Sequence, residues 1–449
     1  LNYEISNYRC NDVEGITMKE VALNDFIDQQ KIGRYQKFIL LTCLLLMVMD
    51  GYDIQAIAYA APLIMEHWQI DKTMLGVVFS ASLFGLFIGS LFLSSLADRF
   101  GRRPILLIST LAFSVLMLLT PSVSSVEQLT IIRFVTGIFL GGIMPNVMAY
   151  SSEIVPSKYR ILTMMVISCG YTVGAMLGGG ISALLTPIGG WHAIFYFGGI
   201  IPLIIFFIML FTLPESLQFM VSKNNDHKAL LWLKKFYPKL NFSSELKILN
   251  PLILKTKQSP LELFKENRAF FTYTIWIISI LNMISLYFLA NWLPMLAKES
   301  GLNLNQALLI GSILQLGGAF GSILMGLKID KVGFYKVLIP VFITGVLSVA
   351  VIGYSISNPL LLYVVVFIAG FAIVGGQPAI NAFSASYYPI SLRTTGVGWS
   401  IGIARLGSVI GPLFGGYLSK HMDITHLFIA AAVPSMLVIM TLVIQAKYR

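Results

Sequence analysis

Twelve apolar stretches of about 20 residues each limit what this chain can fold into: 38–60, 74–96, 104–120, 128–150, 161–185, 191–213, 269–296, 306–327, 337–356, 360–386, 394–418 and 426–446. A helix rises about 1.5 Å per residue, so each stretch matches the ~30 Å hydrocarbon thickness of a bilayer. Membrane-spanning strands would instead read as ~10-residue alternating segments. The chain is 56% hydrophobic and 12% charged, with a mean hydropathy of +0.79. A soluble protein of that composition would carry one continuous apolar surface patch. The expected fold class is therefore all-α and integral to the membrane.

A net charge of +10 raises nucleic acid as a partner, and the distribution of that charge argues against it. Of the 31 Lys and Arg residues, Lys72, Lys298 and Lys420 lie in loops on one side, Arg133 and Arg405 lie inside spans, and all the rest fall on the other side. That asymmetry is the signature of cytoplasmic loops, and it places both termini in the cytoplasm. The expected organisation is an N-terminal tail (1–37), six spans (38–213), a cytoplasmic linker (214–268) with helical stretches such as 228–236, six more spans (269–446) and a short C-terminus (447–449). Span 1 is too long for a cleavable leader and is expected to act as an uncleaved anchor, with Met18 a candidate native start. Cys10, Cys43 and Cys169 imply no disulfide framework.

The two sets of spans are related. Asp98, Arg99 and Gly101 recur as Asp330, Lys331 and Gly333 at an offset of 232. Pro145, Pro156, Arg160, Gly174 and Gly178 recur as Pro378, Pro389, Arg393, Gly407 and Gly411 at an offset of 233. A constant offset with unchanged orientation predicts two pseudo-symmetric six-helix bundles about an axis along the membrane normal.

Three intramembrane charges escape the repeat. Asp50 and Asp53 of the sequence Asp50-Gly51-Tyr52-Asp53 correspond to Met283 and Leu286, and Arg405 corresponds to Thr172. Ionisable groups in a bilayer are costly and mark function. Two carboxylates three apart on a helix lie within reach of one another and titrate as a unit, which suits proton coupling; pairing with an arginine is the alternative. Arg405 sits near the middle of span 11, where its guanidinium can bind a carboxylate through two parallel hydrogen bonds or bridge to a span 1 aspartate. No Gly-x-x-x-x-Gly-Lys-Ser/Thr motif is present to drive an ATP-powered pump, and no His or Cys spacing suggests a metal; no cofactor is expected.

These features resemble the major facilitator superfamily: the loop Ser94 to Arg103 with its Asp98-Arg99-x-Gly101-Arg102-Arg103 core, the weaker second copy at Gly326 to Lys336, Arg133-x-x-x-Gly137, and Pro214-Glu215-Ser216. Ser94 replaces the first loop glycine of that pattern. Within the superfamily the chain is most similar to the aromatic acid:proton symporters, of the benzoate and 4-hydroxybenzoate type. That likeness rests on Asp50-Gly51-Tyr52-Asp53, Gly141-Gly142-Ile143-Met144-Pro145-Asn146, Asn291-Trp292-Leu293-Pro294 and Gly398-Trp399 through Gly407. It implies a transporter, not an enzyme: a monomer in a bacterial-type inner membrane that imports an aromatic carboxylate with a proton by alternating access. Another organic anion such as muconate, or proton-driven drug export, are the competing substrates. Export is disfavoured because Gly170 to Ala175 lacks the proline that marks drug antiporters.

On this reading Asp50 and Asp53 couple protons and Arg405 holds the substrate carboxylate. Arg133 either contributes to the site or serves packing and proton relay. Tyr171, Tyr287, Trp292 and Trp399 are candidates to line the cavity, with Asn146, Asn282, Asn291, Gln315 and Gln377 bonding ring hydroxyls. A cytoplasmic gate is expected from Asp98, Arg99, Gly101, Arg102, Arg103, Glu153 and Arg160, together with Asp330, Lys331, Gly333 and Arg393. Asp98 would face the start of span 11 at Thr394 and Thr395, and Asp330 the start of span 5 near Ile161. Glu153 would pair with Arg99 or Arg102 and release it when the inside opens.

Overall fold

The computed structural model describes residues 20–223, 225–237, 247–249, 260–266, 268–356 and 358–448. Met18 and Cys10 lie outside them, and so do the side chains of Ile161 and Thr394. The described chain is almost wholly helical. We label the spanning helices α1 (Arg34–Trp68), α2 (Lys72–Phe100), α3 (Arg102–Leu119), α4 (Val126–Glu153), α5 and α6 (the two arms of Ser157–Thr212), α7 (Ala269–Glu299), α8 (Leu304–Val332), α9 (Phe334–Ser355), α10 (Pro359–Tyr387), α11 (Ile390–His421) and α12 (Ile424–Lys447). Spans 5 and 6 run together because only Gly189 (φ −148°, ψ 23°) and Gly190 (φ 59°, ψ −150°) leave helical geometry between them.

Most spans outrun their apolar stretch by one to a few residues at one or both ends, where polar caps take over. Ser125 accepts from the Gln128 amide, Asn303 and Gln306 form a capping box, and Asn358 caps α10. On the face of the membrane that carries the linker, α2 and α8 stop at Gly101 (φ 104°) and Gly333 (φ 86°), backbone conformations that side chains rarely adopt. The repeat thus preserves a geometric requirement as well as a residue type. A short helix, Asp226–Phe236, stands where the linker was expected to be helical, and Glu20–Ala22 pairs in parallel with Lys247–Leu249.

Within each bundle, glycines bring helices into contact. A Cβ at Gly51 would sit 1.9 Å from the Tyr171 carbonyl oxygen, which locks α1 against α5. Gly174 meets the Val48 carbonyl oxygen of α1, and its repeat mate Gly407 meets that of Ile280 on α7. Close backbone approach of this kind is what holds helices together in lipid, where burial gives no hydrophobic gain.

The bundles meet along α2–α11, α5–α8 and α1–α7. Among the described residues, every hydrogen bond or ion pair between them lies from the membrane centre to the face opposite the linker. Ser80 donates to the Val409 carbonyl (2.8 Å), and the far loops carry the pairs Lys72–Glu299, Lys298–Glu66 and Lys420–Asp71 at 2.6–2.8 Å. On the linker side, Gly398 and Gly402 of α11 have nothing within 4 Å of a Cβ position, and Trp399 is 45% exposed. The protein is closed opposite the linker and open toward it.

Candidate transport site

A cluster drawn from both bundles lies at the membrane centre. The Tyr171 and Tyr287 hydroxyls lie 3.5 Å apart across the divide. Asp50 of α1 and Arg405 of α11 lie within electrostatic range of each other and of both tyrosines. Asp50 is 2% exposed, and its Oδ1 has no hydrogen-bond partner among the described residues. Arg405 is only partly buried, and its Nη1 donates across the divide to the Leu86 carbonyl (3.0 Å). A guanidinium held by a neutral carbonyl retains its full charge and four further N–H groups for an anion.

Asp53 has a different setting. Arg133 spreads its two terminal nitrogens over the Asp53 carboxylate at 2.8 and 3.0 Å, and both side chains are wholly buried. Ser82, the Asp53 carbonyl and the Met117 sulfur accept further contacts, and the guanidinium lies 5.9 Å from the Phe195 ring centre. The two aspartates thus differ in their partners: a helix turns about 300° over three residues, which leaves room for Arg133 to hold the Asp53 carboxylate alone. Arg133 is wholly buried, and its partners all belong to the first bundle. Ser82, Met117 and Phe195 complete its cage; nothing in their sequence context marked them.

The other lining candidates have the following partners. Trp292 is fully buried, donates to the Pro412 carbonyl (3.0 Å) and meets Phe79 edge-on at 5.5 Å, as part of the seal opposite the linker. Asn146 and Asn291 turn their amides back onto carbonyls of their own helices, Gly142 and Tyr287. Gln315 is buried in α8. Asn282 and Gln377 bond to each other across α7 and α10 at 2.8 Å, and Trp399 stacks on Trp276 at the open side.

At the linker face, Glu153 pairs with Arg102 (2.7 Å) and accepts from Ser216. Arg99 instead lies over the Phe100 ring. The Glu153–Arg102 pair is intact with this face open, contrary to expectation; both partners belong to one bundle. Glu215, which the gate reasoning passed over although it stands in the motif Pro214-Glu215-Ser216, accepts the amides of Arg102 and Arg103 (2.9 and 3.1 Å) at the start of α3. A carboxylate there satisfies orphan N–H groups and the helix dipole. Arg103 caps the Leu210 and Leu213 carbonyls of α6, and Arg160 bonds the Ser152 carbonyl. Asp98, Asp330, Lys331 and Arg393 are exposed and make no hydrogen bond or ion pair among the described residues.

A profile of the Major Facilitator Superfamily matches residues 43–352 and 275–448, which together cover both bundles. The chain belongs to the major facilitator superfamily. It is 31% identical to the benzoate transport protein of Acinetobacter baylyi, over 94% of this chain and 92% of that one. It is 34% identical to the 4-hydroxybenzoate transporter PcaK of the same organism, over 90% and 91%. Among solved structures, a bacterial homolog of the human lysosomal transporter Spinster, inward-facing and occupied, shares the fold with a TM-score of 0.74 at 15% identity, over 92% of this chain and 97% of that one. As a superfamily member the protein is a multi-pass membrane transporter and not an enzyme.

Proposed function

We propose that the protein imports a benzoate-type aromatic carboxylate together with one proton by alternating access, and that the linker face is the cytoplasmic side of a bacterial inner membrane. The observation that carries this reading is the convergence of Asp50 and Arg405, from opposite bundles, at the membrane centre. The names of the relatives support the substrate class.

The coupling follows from charge. Arg405 provides one positive charge that one anion at a time can neutralise. With Asp50 ionised and no substrate bound, the site is neutral and the empty carrier can close. With substrate carboxylate on Arg405 and a proton on Asp50, it is neutral again. Substrate without a proton leaves one excess negative charge, and a proton without substrate leaves one excess positive charge. A dry, closed centre penalises both by several kcal/mol, on the order of what a buried unpaired ion costs. Only the two neutral forms cross, so proton and substrate travel together, and the rocking motion exchanges access around a fixed central site.

The test is uptake by proteoliposomes. An imposed pH gradient alone, acid outside, is expected to drive benzoate or hydroxybenzoate accumulation with alkalinisation of the outside medium, and a membrane potential alone is not. Uphill accumulation by Asp50→Asn equal to wild type would overturn the assignment. Drug resistance on expression with no acid uptake would replace it with export.

A further inference from the structure

Lys72, Lys298 and Lys420 are the lysines of the loops opposite the linker, and no arginine joins them there. Each one pairs with the other bundle: Lys72 with Glu299 (2.7 Å), Lys298 with Glu66 (2.6 Å) and Lys420 with Asp71 (2.8 Å). The remaining ion pairs among the described residues stay within one bundle or within the linker. The corner between α1 and α2 is thereby tied at two places, the end of α7 and the end of α11.

The repeat separates the two sides of these pairs. Glu66 and Glu299 are mates at an offset of 233, at the ends of α1 and α7. The cations have no mates: Lys298 and Lys420 correspond to Met65 and Pro187 at that offset, and Lys72 to Leu304 at the α2–α8 offset of 232. Before α8, Asn303 accepts from the Gln306 amide (2.8 Å) and caps the helix, whereas Asp71, its mate before α2, gives its carboxylate to Lys420. The duplicated scaffold thus accounts for the two glutamates and a helix start, and for none of the lysines. Topology does not account for them either, because the loops on this side otherwise carry no Lys or Arg.

We infer that the three ion pairs form an electrostatic clasp that holds the resting carrier closed on this face, and that ionic strength on this face loosens it. The inference does not depend on which ligand is carried. The six side chains are 22–69% exposed, so salt screens them and each pair is weak alone. Opening the face breaks all three together, so about two- to threefold for each gives about 10-fold in the population open on this side. A site that faces one side in only a fraction of molecules has its apparent affinity from that side lowered by the same fraction. Loosening the clasp therefore raises the apparent affinity for a ligand arriving there, the opposite of what salt does to the approach of a charged ligand.

Alkylation of a buried probe by a neutral maleimide measures the clasp in full-length protein held in lipid nanodiscs. Ser312 of α8 is the probe position, because its hydroxyl is buried in the seam between the bundles, 2.4 Å from where a Cβ on Gly179 of α5 would stand. Labelling of Ser312→Cys, read by peptide mass spectrometry, is expected to quicken at least threefold between about 20 mM and about 500 mM NaCl. Adding Lys72→Gln, Lys298→Gln and Lys420→Gln is expected to quicken it about 10-fold at the lower salt and to remove the salt effect. The native Cys43, buried within the first bundle, stays unlabelled as long as the protein is folded. A folded triple variant that labels at the parent rate, or one that keeps the salt effect, overturns the clasp. Should the triple variant label at Cys43, one pair decides: Lys420→Asp alone must quicken labelling of the probe and added Asp71→Lys must slow it again, and failure of either overturns the inference.

Discussion

Two arginines lie near two aspartates at the membrane centre, and their settings are opposite. Arg133 and Asp53 form a closed fork whose every partner, on α1, α2, α3, α4 and α6, belongs to the first bundle. Arg405 reaches across from the second bundle, holds a backbone carbonyl, and leaves Asp50 with an unpartnered oxygen. On the proposed cycle, a pair inside one body keeps its geometry, whereas a pair divided between the bodies changes its partners, and the proposal assigns coupling to the second.

The contrast predicts different failures. The largest effect is expected from Asp53→Asn, which strands a wholly buried guanidinium: about 3–5 kcal/mol of stability should be lost, read as a marked fall in thermal midpoint and in folded yield. If Asp53→Asn is as stable as wild type, the two pairs are not different in kind. Arg405→Lys should leave the fold intact and lower substrate uptake about 100-fold, because an ammonium cannot offer the parallel hydrogen bonds of a guanidinium. Asp50→Asn should also fold normally. It removes the neutral empty form, so net uptake should drop at least tenfold while exchange of labelled for unlabelled substrate continues, since the neutral amide mimics the protonated acid. Loss of exchange together with net uptake would mean that Asp50 binds substrate directly.

The smallest effect concerns the ion pairs opposite the linker. The hydrogen bond from Lys420 holds the Asp71 carboxyl below the usual carboxylate range. A lowered value means that the contribution of the pair is present above the ordinary carboxylate pKa of about 3.9 and disappears only as pH falls through the lowered value. External acidification to about pH 5.5 should therefore leave this clamp closed. Asp71→Asn, at so exposed a position, should shift labelling of a cysteine introduced on the opposite side by no more than about threefold.

How much of this was legible in the sequence differs by layer. Apolar length located all twelve spans, because the bilayer imposes one dimension on each of them, and the 232–233 offset revealed the two bundles. Span ends were less accessible: α1 and α2 run past their apolar stretches because caps and polar side chains continue a helix beyond the hydrocarbon. The charges Asp50, Asp53, Arg133 and Arg405 were visible as exceptions to hydropathy, but not their pairing. Linear spacing treated Asp50 and Asp53 alike, whereas α4 and α6 deliver Arg133 and Phe195 to one, and the other is left with an unpartnered oxygen near Arg405. Trp292 was misread for a related reason: an aromatic in a span looks the same whether it lines a cavity or seals one.

By itself the sequence determined that the chain crosses the membrane twelve times, that it is a duplicated bundle, and that it holds a few acids and arginines too costly to be accidental. Those are properties of individual segments, set by the transfer of each side chain between water and lipid. Only the tertiary structure decided which acid Arg133 holds, which keeps an unpartnered oxygen, and which face is open. Those depend on the distance between atoms hundreds of residues apart, which helix packing alone fixes.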